Sequence, residues 1–477
     1  MFYTDFQYST VKKYKYEIFT TKIERAIQQG HLRAGDALPS VRETKATYQL
    51  STSSVQSGYD YLVFKGLVTS IPRSGYVVAA HIQTTAATKL DLPTIPKDAV
   101  FTTKKTLTSQ RLTHTERPSF HIAAPASTFI PQQLILKTMQ TVIREKGVSL
   151  LQYYPNTGSE ELQALLIKRA ALHGASLQKE ELIVTDGALQ ALYIALASTT
   201  VPHDIVAVES PCVFSVLEVL SSLRLRALEI PVRPVHGFDL AYLRKMCQQH
   251  AVKAVVLTPN FHNPTGILMR DEQKEELYSL GVQHQIPIIE NDIYGDLHFQ
   301  GERPINIKNF DKKGLVLTFS SYSKTIAPGL RLGWLAAGQY AAQAERLKFS
   351  LGRSVSPINQ EVIIQLLQMP SYDKHLRIFR QQLERQAMQF LRTFNAYFPS
   401  DFTQQAPQGG YSIWGQLPND VDAKSFYETC QTMGIGFTPG ETFSFTDVYK
   451  RHFRAIFAQR LTATDLSLIK QLGEELK

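Results

Sequence analysis

The sequence predicts an α/β protein with a small helical head, a linker, and a large body of mostly parallel sheet followed by a smaller α+β portion. Three observations predict it. Beyond Ser119, short apolar runs alternate with amphipathic helical patterns over about 200 residues, the pattern of an open parallel sheet. From about Val355 the chain turns helix-rich with few strands, which marks the smaller portion. Ahead of both, residues 11–80 carry three helical patterns closed by a basic hairpin. The chain has 477 residues, long enough for two or three domains, and is 43% hydrophobic and 19% charged. That composition belongs to a chain with a sizeable core and excludes disordered, collagenous and coiled-coil classes.

In the head, Tyr16, Phe19, Ile23, Ala26 and Ile27 recur at helical spacing, and Gly30 follows as a stop. Ser40 and Glu43 form an S-x-x-E capping box that starts a second helix, ending near Gln49. A third begins around Ser51–Ser54, buries Val55, Tyr59, Leu62 and Val63, and stops at Gly66. Two β-rich runs then flank Pro72-Arg-Ser-Gly75, a hairpin with a basic tip. Three helices and a basic hairpin make a winged helix-turn-helix pattern, in which the third helix enters the major groove and the hairpin touches the backbone or minor groove.

Residues 81–117 are rich in Thr and Lys, contain Pro93 and Pro96, and show little periodicity, so they read as a flexible linker. The body follows as residues 118–477. Its expected strands are Leu182–Val184, Ile205–Val208, Ala254–Leu257, Ile286–Glu290 and Leu315–Ser320, with helices such as Ala188–Ala197 and Arg270–Gln283 between them.

Charge is unevenly placed. The formal balance is +9, from 51 basic and 42 acidic residues. Residues 1–82 hold 10 Lys/Arg against 6 Asp/Glu and residues 83–117 hold 6 against 3, whereas the remaining 360 residues are nearly neutral at 35 against 33. A polyanion partner is therefore expected at the first quarter of the chain. Three cysteines, Cys212, Cys247 and Cys430, form no CxxC pair, which argues against a disulfide framework or zinc ribbon and fits a reducing cytoplasm. The first residues lack the apolar core of a secretory signal. The charge-free stretch Pro118–Leu136 is broken by Pro125 and Pro131 and carries His121, so it does not read as a membrane span.

Four clusters on the predicted sheet carry chemistry. In SSYSKTIAPGLRLGW, Lys324 follows an apolar strand among serines and stands seven residues before Arg331. This suits a lysine that condenses with an aldehyde cofactor whose phosphate Ser321, Ser323 and Arg331 hold. Ser321 and Lys324 also read as an S-x-x-K nucleophile and base, but the S-D-N and K-T-G partners of that chemistry do not occur. In IPIIENDIYGDL, the strand runs into Glu290, Asn291 and Asp292, where open sheets bind ligands. Asp292 is the choice for a carboxylate beside a pyridinium nitrogen, with the Tyr294 hydroxyl on the ring oxygen. No histidine stands at ligand spacing, so a metal set is not expected. In TPNFHNPTG, Asn263 leads a tight turn that presents its amide. In VTDGALQALYIAL, the amides of Gly187 and Ala188 open a helix toward an anion.

The order of these clusters resembles the fold type I, aspartate aminotransferase-like, pyridoxal-phosphate enzymes from about Ser119 onward. The resemblance implies pyridoxal 5'-phosphate on Lys324, Asp292 on its ring nitrogen, and Asn263 and Tyr294 on its phenolic oxygen. It places the phosphate on Gly187, Ala188, Ser321, Ser323 and Arg331, with Tyr153 reaching the neighbouring subunit's phosphate and Arg454 clamping a substrate carboxylate. Val213 stands where an aromatic usually stacks on the cofactor, with Phe214 adjacent, and Ala188-Leu189 lacks a phosphate-binding hydroxyl.

The head resembles the DNA-binding domain of the GntR family through Gly30–Glu43 and Arg73–Val77. By that resemblance Arg42, Ser53, Ser54, Arg73 and Gly75 contact a double-stranded DNA operator. It departs from the family at Thr52, which replaces a basic residue, and at Thr44-Lys45, which replaces Leu-Ala. The combination is similar to the MocR subfamily of regulators. That similarity implies a cytoplasmic, head-to-tail homodimer that senses an amino acid or amine, or the cofactor itself, and controls DNA binding. A working aminotransferase with an autoregulatory head is the alternative.

Overall fold

A computed structural model describes residues 17–64, 66–71, 75–79, 92–99, 120–233 and 237–476. The chain divides into two compact units, Met1–Thr88 and Lys89–Lys477.

The first unit contains α1 (Glu17–Gln28), α2 (Val41–Tyr48), α3 (Thr52–Phe64), β1 (Val68–Ile71) and β2 (Gly75–Val78). Phe19, Ile27, Val55, Tyr59, Leu62, Val68 and Val78 close into one apolar cluster, so each helix and the hairpin contribute to a single core. The Ser40 hydroxyl accepts from the Glu43 amide at 3.2 Å and the Glu43 carboxylate accepts from the Ser40 amide at 2.7 Å, the reciprocal cap expected from the sequence. Thr44 faces inward. The Tyr59 hydroxyl donates to the Pro39 carbonyl, so Thr44 donates to Tyr59 across 2.9 Å. β1 and β2 pair antiparallel from Val68↔Val78 to Ile71↔Gly75.

The second unit runs β3 (Lys97–Asp98), α4 (Gln132–Lys146), α5 (Glu160–Ala171), β4 (Leu182–Thr185), α6 (Ala188–Thr199), β5 (Ile205–Ser210), α7 (Phe214–Ser222), β6 (Arg226–Arg233), β7 (Gly237–Phe238), α8 (Leu240–Gln249), β8 (Val252–Leu257), α9 (Asp271–His284), β9 (Ile288–Asn291), β10 (Val316–Ser321) and β11 (Gly333–Ala336). The chain continues through α10 (Ala341–Leu351), α11 (Pro357–Gln368), α12 (Pro370–Tyr397), β12 (Thr403–Gln404), β13 (Ser412–Gln416), α13 (Ala423–Met433), β14 (Thr438–Pro439), β15 (His452–Ile456) and α14 (Ala463–Glu475). The main sheet has the order β3-β6-β5-β8-β9-β10-β11-β4, with β7 on β6, and β12-β13-β15-β14 form a second, antiparallel sheet.

β6, β5, β8, β9 and β10 are mutually parallel, and β11 runs antiparallel between β10 and β4. All five strands expected from the sequence are present. Strand alternation separates two faces. On one, Val206, Val208, Val256, Ile289 and Phe319 pack with residues of α6 and α7. On the other, Ala207, Val255, Leu257, Ile288 and Val316 pack with α8 and α9.

Residues 92–99 of the expected linker are among the described residues. Leu92 and Ala99 are buried, and Lys97–Asp98 pairs antiparallel with β6 across from Arg226 and Ala227. Two residues of pairing carry no pattern that a sequence window detects, whereas the exposed edge of β6 recruits them.

Candidate cofactor site

The site begins where β4 passes into α6. Thr185, Gly333 and Ser321 lie in one row across β4, β11 and β10. Gly187 follows with φ +83, a left-handed conformation suited to glycine. A Cβ on Gly187 would stand 2.6 Å from an Arg331 terminal nitrogen, so the bare glycine is what lets the guanidinium reach the start of α6. Arg331 donates there to the Asp186 carbonyl at 3.0 Å. The hydroxyls of Ser321 and Ser323 are 2.7 Å apart. The expected anion-holding residues Gly187, Arg331, Ser321 and Ser323 are thus gathered at a helix N-terminus, and Ala188 opens that helix.

Lys324 follows this row. Its ammonium donates to the Ala123 carbonyl, and the Tyr411 hydroxyl holds the Lys324 carbonyl. Burial, with Arg454 and then Arg331 adding repulsion, pushes the Lys324 ammonium down to about 8. Arg454 is fully buried on β15. Its terminal nitrogens donate to the Asn263 side-chain oxygen at 3.0 Å, the His121 carbonyl at 2.8 Å and the Thr438 hydroxyl at 3.1 Å. Its Nε has no hydrogen-bond partner among the described residues. Burial pushes the Arg454 guanidinium down to about 10. The same Asn263 donates to the Tyr294 hydroxyl at 3.3 Å. Tyr294 is held protonated to about 12, chiefly by burial, against the opposing influence of Arg454 and the Asn263 hydrogen bond. Lys324, Asn263, Tyr294 and Arg454, distant in sequence, therefore meet in one neighbourhood.

Asp292 is not brought into this neighbourhood. Its carboxylate is taken up by Arg303 and accepts from Asn260 at 3.3 Å. It lines a cavity with Arg169, His173, Asp296 and Arg303, where Arg303 and Arg169 hold the Asp296 carboxyl down to about 2. The physical reason is strand parity: Asp292 projects to the face opposite the one that carries α6. Asn291 occupies the α6 face instead.

Phe214, noted in the sequence beside Val213, has its ring 5.6 Å from the Arg454 guanidinium, and Phe443, which sequence reasoning missed, has its ring 5.0 Å from it. The carbonyls of His121 and Ala123 were missed too, since a backbone acceptor leaves no signature in residue type. Val213 caps α7 and packs against the α6–α7 cluster. Tyr153 stands apart from these residues, 76% exposed, with Arg353 5.0 Å from its ring.

In the head, Arg42 is exposed in the first turn of α2. Ser53 and Ser54 open α3, their hydroxyls 2.9 and 2.8 Å from that of Ser51. Gly75 starts β2 at φ +104, and Arg73 lies outside the described residues. No described helix is long and apolar enough to cross a membrane.

Known proteins resemble both units. Residues 125–471 match the family described as aminotransferase class I and II, and residues 15–78 match the bacterial regulatory proteins of the gntR family. The uncharacterized HTH-type transcriptional regulator YdcR of Escherichia coli K12 is 32% identical over 96% of this chain and 98% of its own length. The HTH-type transcriptional regulator NorG of Staphylococcus aureus is 27% identical over 84% of this chain and 91% of its own. Among solved structures, a kynurenine aminotransferase of Pyrococcus horikoshii superposes with a TM-score of 0.73 at 24% identity, covering 79% of this chain and 95% of that one. LysN, an alpha-aminoadipate aminotransferase of Thermus thermophilus, gives 0.70 at 23% identity, covering 76% and 92%.

Proposed function

The chain belongs to the aminotransferase class I and II family and carries a GntR-family head, a MocR-like architecture, and we propose accordingly that it is a pyridoxal-phosphate-dependent transcriptional regulator sensing an amino acid or related amine. The observation that carries the proposal is the buried Lys324–Arg454 neighbourhood in a chain that also has a DNA-binding type of head.

The residues present suit the cofactor. Arg331 reaches the start of α6 only because Gly187 lacks a Cβ, which leaves a cationic cradle for a phosphate beside Ser321, Ser323 and the amide of Ala188. Arg454 is a buried guanidinium whose hydrogen bonds, among the described residues, go to neutral oxygens and whose Nε is unpartnered. A ligand carboxylate would complete it, and a planar fork suits that role. When bound, pyridoxal phosphate supplies an aldehyde that condenses reversibly with primary amines.

The chain's own groups divide the work. Lys324, its ammonium weakened by burial, offers a neutral amine near physiological pH in a far larger fraction than an exposed lysine does. Tyr294 keeps its proton and, with Asn263, would donate toward the ring oxygen of the bound cofactor. Asn263 also couples Tyr294 to Arg454, so a carboxylate drawn to Arg454 bears on the same hydrogen-bond chain. Tyr153 serves the partner subunit's phosphate in a head-to-tail homodimer acting in the cytoplasm. A ligand changes operator affinity only through a difference in its own affinity for two states of that dimer.

A gel-shift experiment tests the regulator reading. The cofactor-loaded protein is expected to retard labelled DNA from upstream of its own gene, and Arg42→Ala to weaken the shift. No retardation of any promoter fragment at low salt removes this reading. The presence of both Lys324 and Arg454 keeps a working aminotransferase as the second reading. Visible spectra during addition of single amino acids separate the two: a regulator holds its ligand with little keto acid formed, and an aminotransferase releases stoichiometric keto acid.

A further inference from the structure

The end of β9 carries two neighbours of different chemistry on opposite faces. Ile289 packs with Phe319 and with residues of α6 and α7, against which Ala188 and Val213 also lie. Asn291 is two residues on, on the same face of the sheet, and is the register partner of Phe319. It is buried, and its amide donates to the Thr258 hydroxyl at 3.3 Å. Its oxygen accepts from the Ile293 amide at 3.2 Å. Because a backbone N–H can only donate, the oxygen must face Ile293, which fixes the NH2 end elsewhere and leaves it one further N–H to give.

Asp292 cannot exchange places with Asn291. Its own amide continues the ladder to the Phe319 carbonyl. Its carboxylate is bound to Arg303, which is also bonded to Asp296 at 2.7 Å and to Asn306 at 2.8 Å. Turning Asp292 toward α6 would break the ladder and leave Arg303 short of a partner in a largely buried network. Among the described residues, the charged groups that shift Lys324 are Arg454 and Arg331.

We propose that the residue set against the cofactor's ring nitrogen is Asn291, a neutral amide, so that this nitrogen stays unprotonated and the site holds amine ligands rather than transaminating them. The inference rests on the pyridoxal-phosphate reading above and sharpens it toward the sensor. Transamination requires a base such as Lys324 to take the ligand's α-proton, leaving its electron pair to be drawn toward the ring. A protonated nitrogen neutralises that pair; an amide has no proton to transfer and can only donate a hydrogen bond. The α-proton therefore stays on the ligand, and capture remains reversible.

The test is nitrogen NMR of full-length protein loaded with pyridoxal phosphate labelled with ¹⁵N in its ring. The wild-type protein is expected to show the unprotonated shift at neutral pH, Asn291→Asp the protonated shift, and Asp292→Asn no change from wild type. Asn291→Asp should also raise keto acid release from added amino acids by about 10²-fold, the scale of a gained proton-transfer group. A protonated nitrogen in the wild type overturns the inference, and so does an unchanged shift in a cofactor-loaded Asn291→Asp. The wild-type spectrum decides alone if a variant fails to fold. Protein that binds no cofactor overturns the functional reading, and this inference with it, by a result distinct from either.

Discussion

Lys324 shares its surroundings with Arg454 and Arg331, and removal from water adds to their repulsion of its charge. Only the neutral amine attacks an aldehyde. The rate at which cofactor-free protein captures pyridoxal phosphate should therefore rise about tenfold per pH unit up to about 8 and then level off, where an exposed lysine would keep rising toward its ordinary value of about 10.4. Stopped-flow absorbance measures this, and Lys324→Ala should abolish the visible band altogether. Arg454→Gln removes the charge-assisted bonds to a carboxylate, so amino acid affinity should fall about 10- to 100-fold, given roughly 1.5–3 kcal/mol for such bonds. Spectrophotometric titration with an amino acid and with its decarboxylated amine checks it: the amine should be little affected. Among single residues, the sequence marks Lys324, Asn263, Tyr294 and Arg454 by the strings around them. It points to Asp292 for the ring nitrogen rather than Asn291, because residue type shows in a string whereas the face that each of two adjacent residues takes depends on strand parity.

Among the elements, α2 and its cap were legible because an S-x-x-E box is a local interaction closed within four residues. The packing of α1 on α3 was not. A Cβ on Gly58 would come 2.3 Å from a ring atom of Phe19, so the glycine makes room for that ring between the two helices. Gly58→Ala should destabilise the head by about 1–3 kcal/mol, the usual cost of overpacking, despite the better helix propensity of alanine. The head's unfolding transition and operator affinity should both fall while the body's cofactor spectrum is unchanged. Thr44, unexpected from the resemblance, is explained by its hydrogen bond to Tyr59 in the same core. β3 was read as linker because its pairing partner, β6, lies far along the chain.

Across the molecule, α4 and the turn after it expose Leu136, Ile143, Val148, Leu151 and Tyr153, of which Leu151 is 81% and Val148 73% exposed. An apolar strip of this kind suits an interaction surface, and the homodimer proposed above would supply its occupant. Sedimentation should show a dimer, and Val148→Asp with Leu151→Asp should shift it to monomer. Since Tyr153 adjoins the strip, the same variant should lose phosphate affinity along with the dimer. Operator affinity of the wild type should fall steeply with added salt, as expected for phosphate contacts made by a basic head.

Caps, strand periodicity and short motifs are governed by neighbours along the chain, so the two-unit plan, the order of the main elements and the family could all be read before any folding was considered. Which faces those residues present could not. Only the assembled fold joins Arg454 to Asn263 across 191 positions, draws the carbonyls of His121 and Ala123 into the site, and turns Asp292 away to Arg303. These depend on strand register, parity and packing between distant segments, whose energies are settled only when the sheet and its helices come together.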